Sequence, residues 1–467
     1  MAEVRMRPNM QPNKTPMPHQ DPDVRNKNFK EVSIGYTLED AINEAKRCLN
    51  CKNKPCMTGC PVSIDIPEFI ACIKEGDIEG AYRKIKEKNF LPAVSGRVCP
   101  QENQCEKHCV RGIKGEAVAI GRLERFCADW ARANGVETSA KPEEVLEKKV
   151  AIIGAGPAGL TCAGVLARKG VQVEIFESLN KAGGVLSYGI PEFRLPKEIV
   201  RYEVSNLEKM GVKIHTDVIV GKTVSISQLE AMGFTAFFIG SGAGLPSFMG
   251  IEGEGFAGVF SANEFLTRAN LMECYKDEKD TPSPHLKNVV VVGGGNVAMD
   301  AARVAKRLGS DVSIVYRRGL EQMPARKEEV HHAQEEGIHF LTLNNPLKII
   351  GDENGFVKRM ECVKMELTEA DASGRQGVRA IEGSEFTMDV DGVIMAIGTS
   401  PNPLLKNSIN GIEVTRKGGF VVDEHMKTSI DNIWAGGDAV TGSATVIEAM
   451  GAGQKAAKGI LEYLDIK

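Results

Sequence analysis

The stretch Val150-Ala151-Ile152-Ile153-Gly154-Ala155-Gly156-Pro157-Ala158-Gly159 decides the architecture of this chain. Its short apolar run reads as a buried parallel strand, the glycines after it as a tight turn, and Leu160 to Lys169 as a helix. A further strand, Gln172 to Phe176, ends at Glu177, 23 residues beyond Gly154. Alone, a G-x-G-x-x-G run is weak; between a strand and a helix, with an acid at this distance, it marks a dinucleotide-binding unit. Gly154, Gly156 and Gly159 make the turn and admit a pyrophosphate to the backbone amides, where the helix N-terminus favours an anion. Glu177 can accept from both hydroxyls of an adenosine ribose. The competing reading is a glycine-rich turn that binds nothing.

The same unit recurs downstream. Val289 to Val292 runs into Gly293-Gly294-Gly295-Asn296-Val297-Ala298, a helix reaches Leu308, and a strand from Val312 to Val315 follows. This strand ends in Tyr316-Arg317-Arg318, where the first unit ends in an acid. A carboxylate there would repel a 2′-phosphate, whereas guanidinium groups pair with one bidentately, so the second nucleotide is expected to be NADP(H), held by Gly293, Gly295, Ala298, Arg317 and Arg318. A solvated strand end is the alternative for the two arginines.

Two similar segments flank the second unit: Ile239-Gly240-Ser241-Gly242-Ala243 and Ala396-Ile397-Gly398-Thr399-Ser400, each a strand ending in a glycine turn. They read as the two crossings of an inserted domain. Near the end stand Ile433-Trp434-Ala435-Gly436-Gly437-Asp438, then Val446-Ile447-Glu448-Ala449 and a glycine-bearing helix. This is the pattern of flavoproteins with two dinucleotide-binding domains, in which the aspartate contacts the ribityl-phosphate part of the flavin and the helix N-terminus faces the isoalloxazine. Asp438 could instead cap a turn. The only cysteine near the first motif is Cys162, inside the helix, so no redox-active pair supports a disulfide reductase.

Seven of the twelve cysteines fall in two short groups ahead of the first motif: Cys48, Cys51, Cys56 and Cys60, then Cys99, Cys105 and Cys109. The first group reads C-x2-C-x4-C-x3-C-P, a relative of the ferredoxin run. Structural zinc is the plainer reading of four close thiolates, but the x4 gap, Cys60-Pro61 and the flavin motif that follows suit iron–sulfur chemistry better. The remaining cysteines are scattered and no signal peptide opens the chain, so a reducing, cytoplasmic setting is expected.

Composition agrees. With 467 residues the chain has room for about three domains at about 150 residues each. A net charge of −4, from 58 basic and 62 acidic residues, points to neither nucleic acid nor an acidic membrane surface. No apolar run approaches the roughly 18 residues of a membrane span. The expected fold class is α/β, a helical N-terminal iron–sulfur domain followed by a two-dinucleotide-binding-domain, glutathione-reductase-like flavoprotein. The expected bounds are an extended or partly disordered arm (1–25), a helical [4Fe-4S] domain (26–140), an FAD domain (146–250 and 390–467) and an NADP(H) domain (251–389), with a polar linker from Ala140 to Lys148. In the helical region one face is expected through Leu38, Ile42, Ala45 and Leu49, another through Ile70, Ile73 and Ile78. His331 and His332, among four glutamates, read as a charged helical stretch rather than a site.

The cysteine groups, the first glycine motif, Gly183-Gly184-Val185-Leu186-Ser187-Tyr188-Gly189-Ile190-Pro191, the Tyr316-Arg317-Arg318 end, Met323-Pro324-Ala325-Arg326 and Ala435-Gly436-Gly437-Asp438 together resemble the small-subunit family of NADPH-dependent glutamate synthase, over nearly the whole chain after Asp21. The resemblance extends to the large subunit of NADH-dependent reduced ferredoxin:NADP oxidoreductase and to the N-terminal half of dihydropyrimidine dehydrogenase. It implies an NADPH-dependent oxidoreductase that carries electrons through FAD and two [4Fe-4S] clusters to a partner. That partner is a glutamate synthase large subunit on the first reading, and a ferredoxin-reductase-like flavoprotein, with ferredoxin, on the electron-bifurcating alternative. A scaffold that has kept the fold without activity is a third reading. No glutaminase nucleophile opens this chain, which begins Met1-Ala2-Glu3. By resemblance, Gly184 and Asp438 join the flavin site, and Arg194 passes the flavin, where it could tune N5 or simply pack. The same resemblance assigns Cys48, Cys51 and Cys56 to one cluster and Cys60, Cys99, Cys105 and Cys109 to the other. It places the missing eighth ligand at Glu124, with Cys127 the rival.

Overall fold

A computed structural model of the chain describes residues 8–139, 141–370 and 376–466. Residues 1–7 of the expected arm, residue 140 at the start of the linker and the C-terminal Lys467 lie outside the described residues.

Each glycine motif ends the central strand of a five-stranded parallel sheet. In the first sheet the order is Ile433–Ala435, Ala236–Ile239, Lys149–Ile153, Gln172–Phe176, Lys213–His215. In the second it is Val259–Ser261, Gly392–Met395, Asn288–Val292, Asp311–Tyr316, His339–Thr342. The repeat seen in sequence is thus one topology used twice. Each central strand is buried along its apolar length because both faces of its sheet are covered, in the second sheet by helices on one side and by Ile349, Val357, Met360 and Cys362 of an antiparallel sheet on the other, which is why it reads as an unbroken apolar run rather than an alternating one.

The crossings pair with each other, Leu245–Pro246 running antiparallel to Thr399–Ser400. The second crossing lies in the segment read for it, but the domain bound expected at residue 390 is too early. Gly392–Met395 hydrogen-bonds between Val259–Ser261 and Asn288–Val292, so it is a strand of the NADP(H) domain, and the return begins at Ala396 rather than at residue 390. Sequence reading also left unresolved a four-stranded antiparallel sheet (Asn344–Gly351, Val357–Ala370, Gln376–Ala380, Phe386–Asp389) set into this domain.

Upstream, the helices Leu38–Ala45, Ile66–Lys74, Ile78–Lys86, Pro92–Val98 and Ile120–Ala133 carry the cysteine loops. Ile70, Ile73 and Ile78 are buried as expected, but Leu38 and Leu49 are exposed. The first helix instead buries Ala41, Glu44 and Ala45. Glu44 is the reason: its carboxylate binds Arg47 at 2.7 Å and accepts from the Thr15 and Ala119 amides, so a polar residue occupies the inner face. This domain shares one apolar core with the FAD domain. Phe90 fills the notch left by Gly164, where a Cβ would sit 2.4 Å from the ring.

The described part of the arm is extended but not disordered. Tyr36 Oη donates to the Thr15 carbonyl at 2.5 Å and Arg47 to the Pro12 carbonyl at 3.0 Å. A short helix, Pro22–Arg25, delivers Arg25 into the NADP(H) domain, where it pairs with Glu335 at 2.5 Å and Glu336 at 3.0 Å. Low apolar content suggested disorder; a buried ion pair supplies the anchoring that apolar contacts do not.

Candidate functional site

The carboxyl ends of both parallel sheets open into one continuous cleft of about 1520 Å³. A single small-molecule pocket is roughly 300–1000 Å³, so this cleft has room for two dinucleotides. Gly154 has φ +102°, and a Cβ there would lie 2.6 Å from the Gly240 carbonyl; Gly293 has φ +140°, and its Cβ would meet the Ala396 carbonyl at 2.3 Å. In both units the turn glycine is wedged against the crossing segment, which only a residue without a side chain permits. Gly156 and Gly295 face open space, leaving bare backbone at the N-termini of Pro157–Arg168 and Asn296–Arg307. This is the cradle a pyrophosphate needs. Gly159 and Ala298 are both buried in the first turns of these helices, and Gly184 backs onto Gly156.

Glu177 sits at the strand end as expected. Its Oε2 accepts from the Ala155 amide at 2.7 Å and keeps a lone pair for a ribose hydroxyl, while its Oε1 accepts from the Leu179 amide at 2.8 Å and from Ser178 Oγ at 3.1 Å. Asp438 lines the cleft and also does what the plainer reading expected, accepting from the Ala444 amide at 3.2 Å. Burial raises its carboxyl to about 6. The helix Val446–Tyr463 points its N-terminus at the cleft, closed by a capping box of Thr445 and Glu448.

Arg317 and Arg318 line the far end of the cleft, and neither enters an ion pair among the described residues. Arg318 Nε is buried and has no hydrogen-bond partner among the described residues.

Arg194 also lines the cleft, but its charge is engaged elsewhere. Nη1 binds Asp300 at 2.7 Å and Nε binds Glu329 at 3.0 Å, both carboxylates on the NADP(H) domain. Of the two readings of Arg194, flavin tuning and packing, these contacts favour the second, as a tie across the seam between the nucleotide domains. The tie continues inward, since Arg303 pairs with Glu329 and Glu336, and Arg307 with Glu336. Asp300 and Glu329 carry no motif, and nothing local marked them. His332 is buried against this network, consistent with a structural role.

The cysteines gather in two sets. Cys48, Cys51, Cys56 and Cys109 line one pocket with Leu49, Val110 and Arg111. Cys60, Cys99 and Cys105 face one another and Glu124. Cys109 therefore lies with the first group and not, as the resemblance implied, with Cys60. The 3-10 turn Glu106–His108 carries the chain from one set to the other between Cys105 and Cys109. Glu124 Oε1 accepts from Ser95 Oγ at 2.5 Å and Asn89 Nδ2 at 2.8 Å, and burial raises its carboxyl to about 7. The rival Cys127 is buried near Glu124 and Cys72, and it does not line the pocket of the first set. Burial and the neighbouring Cys48 and Cys109 push the Cys56 thiol up to about 12. Thiols packed this closely are unfavourable as free thiolates and are stabilised by a bound cation, so the donor sets fit metal. All twelve cysteines are free of disulfides.

The second set adjoins the cleft. Val98 and Pro100, on either side of Cys99, line it, and Gln104, preceding Cys105, reaches Thr445 Oγ1 at 3.4 Å.

Residues 25–136 match the family described as dihydropyrimidine dehydrogenase domain II, 4Fe-4S cluster, and residues 148–453 the family described as pyridine nucleotide-disulphide oxidoreductase. In structure the chain is similar to Mycobacterium tuberculosis FprA in complex with NADPH, with a TM-score of 0.57 and 18% identity over 68% of this chain and 85% of that one, a likeness of fold. Together with the cleft and the cysteine sets, these matches define an NADPH-dependent flavoprotein oxidoreductase that uses FAD and 4Fe-4S chemistry. Among curated relatives it is similar to the glutamate synthase [NADPH] small chain of Halomonas elongata, 38% identical over 96% of this chain and 97% of that protein, and to that of Escherichia coli, 37% identical over 95% of each. The NADP(+)-dependent formate dehydrogenase subunit beta of Moorella thermoacetica is 40% identical over 88% of this chain, which spans 60% of that protein. The chain belongs to the glutamate synthase [NADPH] small-chain family. No helix among the described residues is long and apolar enough to cross a membrane.

Proposed function

We propose that this chain is the NADPH-oxidising electron-transfer subunit of a larger enzyme, most closely a glutamate synthase, and that it holds two [4Fe-4S] clusters in series. When bound, FAD takes two electrons as hydride from NADPH and releases them singly to iron–sulfur centres. The protein's part is placement. The glycine turns and Glu177 seat one dinucleotide, Arg317 and Arg318 select a 2′-phosphate on the other, and the Arg194 tie fixes the angle between the domains that hold them. Cys60, Cys99, Cys105 and Glu124 form the inner ligand set, and Cys48, Cys51, Cys56 and Cys109 the outer one.

One observation carries this reading. The residues flanking Cys99 line the nucleotide cleft, while the other set lies beside exposed Leu49 and Val110, so the two sets lead from cleft to surface. The terminal reaction then belongs to whatever docks at the outer set. Relatives at similar identity are named for formate and, in Geobacter sulfurreducens, for ferric iron at 36% identity, which favours a shared module whose partner sets the acceptor. An electron-bifurcating enzyme with a ferredoxin-reductase-like partner is the second reading on the same ground. Affinity purification from the source cells tests it: a large amidotransferase chain supports glutamate synthase, and a small flavoprotein supports the alternative. Recovery of the chain alone, with full cofactors and NADPH-dependent ferredoxin reduction, would remove the subunit reading.

A further inference from the structure

A second cluster of metal-binding side chains lies away from the cysteines, where the N-terminal arm meets the NADP(H) domain. Glu328 and His332 stand four residues apart on the helix Lys327–Glu335, so they share one face of it. His19 reaches them from the arm. Ligand atoms of the three side chains all lie within 4.8 Å of one another, and the two imidazole rings meet edge to face with centroids 4.8 Å apart. The neighbours His331 and His332 read alike in the sequence, but the fold separates them. The His331 side chain is 68% exposed and pairs with Glu335 at 3.1 Å, whereas His332 is 5% exposed and packs against His19.

The surroundings suit these side chains to a ligand. Neither ring nitrogen of His332 has a hydrogen-bond partner among the described residues, although more than nine-tenths of the residue is buried. His19 and Glu328 are only part-buried, which leaves an ion a way in from solvent. Nδ1 of His19 shares a hydrogen bond with Ser33 Oγ at 3.2 Å, and a bridge between His19 and Ser33 sets its backbone; an outer contact of this kind fixes the ring of a metal-ligating histidine. Arg326 reaches Glu328 Oε2 at 3.0 Å and Arg122 reaches Oε1 at 3.5 Å. The carboxylate is thereby held in place and still keeps lone pairs for a cation. The two guanidinium groups also offset its charge, so the site is weaker than a closed set of thiolates.

We propose that His19, Glu328 and His332 form a binding site for a divalent transition-metal ion of the zinc class, which pins the arm to the NADP(H) domain. Two imidazoles and one carboxylate, with water in the fourth position, suit zinc and its neighbours rather than magnesium or calcium, which take oxygen ligands. Bonds of about 2.0–2.1 Å place the corners of a tetrahedron about 3.4 Å apart, so the three side chains draw slightly inward on binding. On the same helix Glu335 already pairs with Arg25 of the arm at 2.5 Å. The ion adds a second link across that contact.

The test titrates Zn2+ by calorimetry into tag-free, chelator-treated full-length protein that carries its FAD and clusters. One equivalent per chain is expected. His19→Ala and Glu328→Gln should each weaken binding at least about tenfold, while His331→Ala binds as the wild type does. Zinc-edge X-ray absorption should show nitrogen and oxygen neighbours alone, at about 2.0–2.2 Å. Zn2+ should raise the thermal unfolding midpoint of the wild type and leave that of His19→Ala where it was, because only binding to the folded state stabilises it. His19→Ala alters a part-buried arm residue and leaves the buried ion pairs of the seam untouched; full FAD content in the variant confirms that it has folded. A sulfur shell at about 2.3 Å, binding lost in His331→Ala, or wild-type binding in His19→Ala would overturn the proposal and leave an adventitious ion only.

Discussion

Arg194 of the FAD domain and Asp300 of the NADP(H) domain form a buried ion pair with Nη1–Oδ2 at 2.7 Å, and Arg194 reaches Glu329 at 3.0 Å in the same geometry. Breaking such a pair from one side strands a buried charge and costs about 3–5 kcal/mol. Arg194→Ala is therefore expected to lower the unfolding midpoint clearly and to raise the KM for NADPH by letting the domains shift. The flavin potential, read by spectroelectrochemical titration at full FAD occupancy, should hardly move. A changed potential with unchanged stability would restore the flavin-tuning role.

Arg317 and Arg318 have no carboxylate partner among the described residues, so replacing them strands nothing in the protein. Charge-assisted pairs with a phosphate are each worth about 1.5–3 kcal/mol. Changing both to alanine should reduce the preference for NADPH over NADH at least about tenfold with little loss of stability. Steady-state kinetics with both coenzymes checks this, and a wild type that already prefers NADH contradicts it.

Two clusters predict about eight irons per chain. Cys109→Ala should disturb the same electron paramagnetic resonance signal as Cys48→Ala, and Glu124→Ala the other signal. Cys127→Ala, set beside Cys72, should leave both. About four irons per chain, or cluster loss in Cys127→Ala alone, would count against the assignment.

The seam also predicts acid sensitivity. Burial lowers His332 to about 4, so the folded state binds its proton less readily than the unfolded chain, whose histidine titrates near 6.5. Stability contributed by the neutral ring is full above about pH 6.5 and declines as pH falls toward 4, at up to about 1.4 kcal/mol per unit. Burial alone would raise Glu329, but Arg194 and Arg303 override it and hold the carboxyl at about 2. Its contribution is full above about pH 4.5 and is lost as pH falls toward 2. Chemical denaturation at pH 7, 5.5 and 4 should show the decline, and His332→Gln should flatten it above pH 4.

Much of this was legible locally. Gly154 and Gly293 mark their turns because a left-handed glycine against a neighbouring carbonyl is a requirement on one residue, written at one position. Glu177 and Arg317 end the strands that follow those turns, and Asp438 directly follows its own Gly436-Gly437 pair, so their places follow. The arm and the first helix misled for a related reason. Arg25 is buried because the distant Glu336 meets it, and Glu44, though Arg47 stands one helical turn away, is held inward by the amides of Thr15 and Ala119, which no window of sequence places beside it.

By itself, then, the sequence determined two dinucleotide units, their coenzyme classes and an iron–sulfur region, since each is encoded in a short contiguous pattern whose backbone geometry is local. Only the tertiary structure decided that Cys109 joins Cys48, Cys51 and Cys56, and that Arg194 answers Asp300 and Glu329. Those relations join residues far apart in the chain. Their energies depend on burial and on distances of a few ångströms, quantities that exist only once the domains have packed.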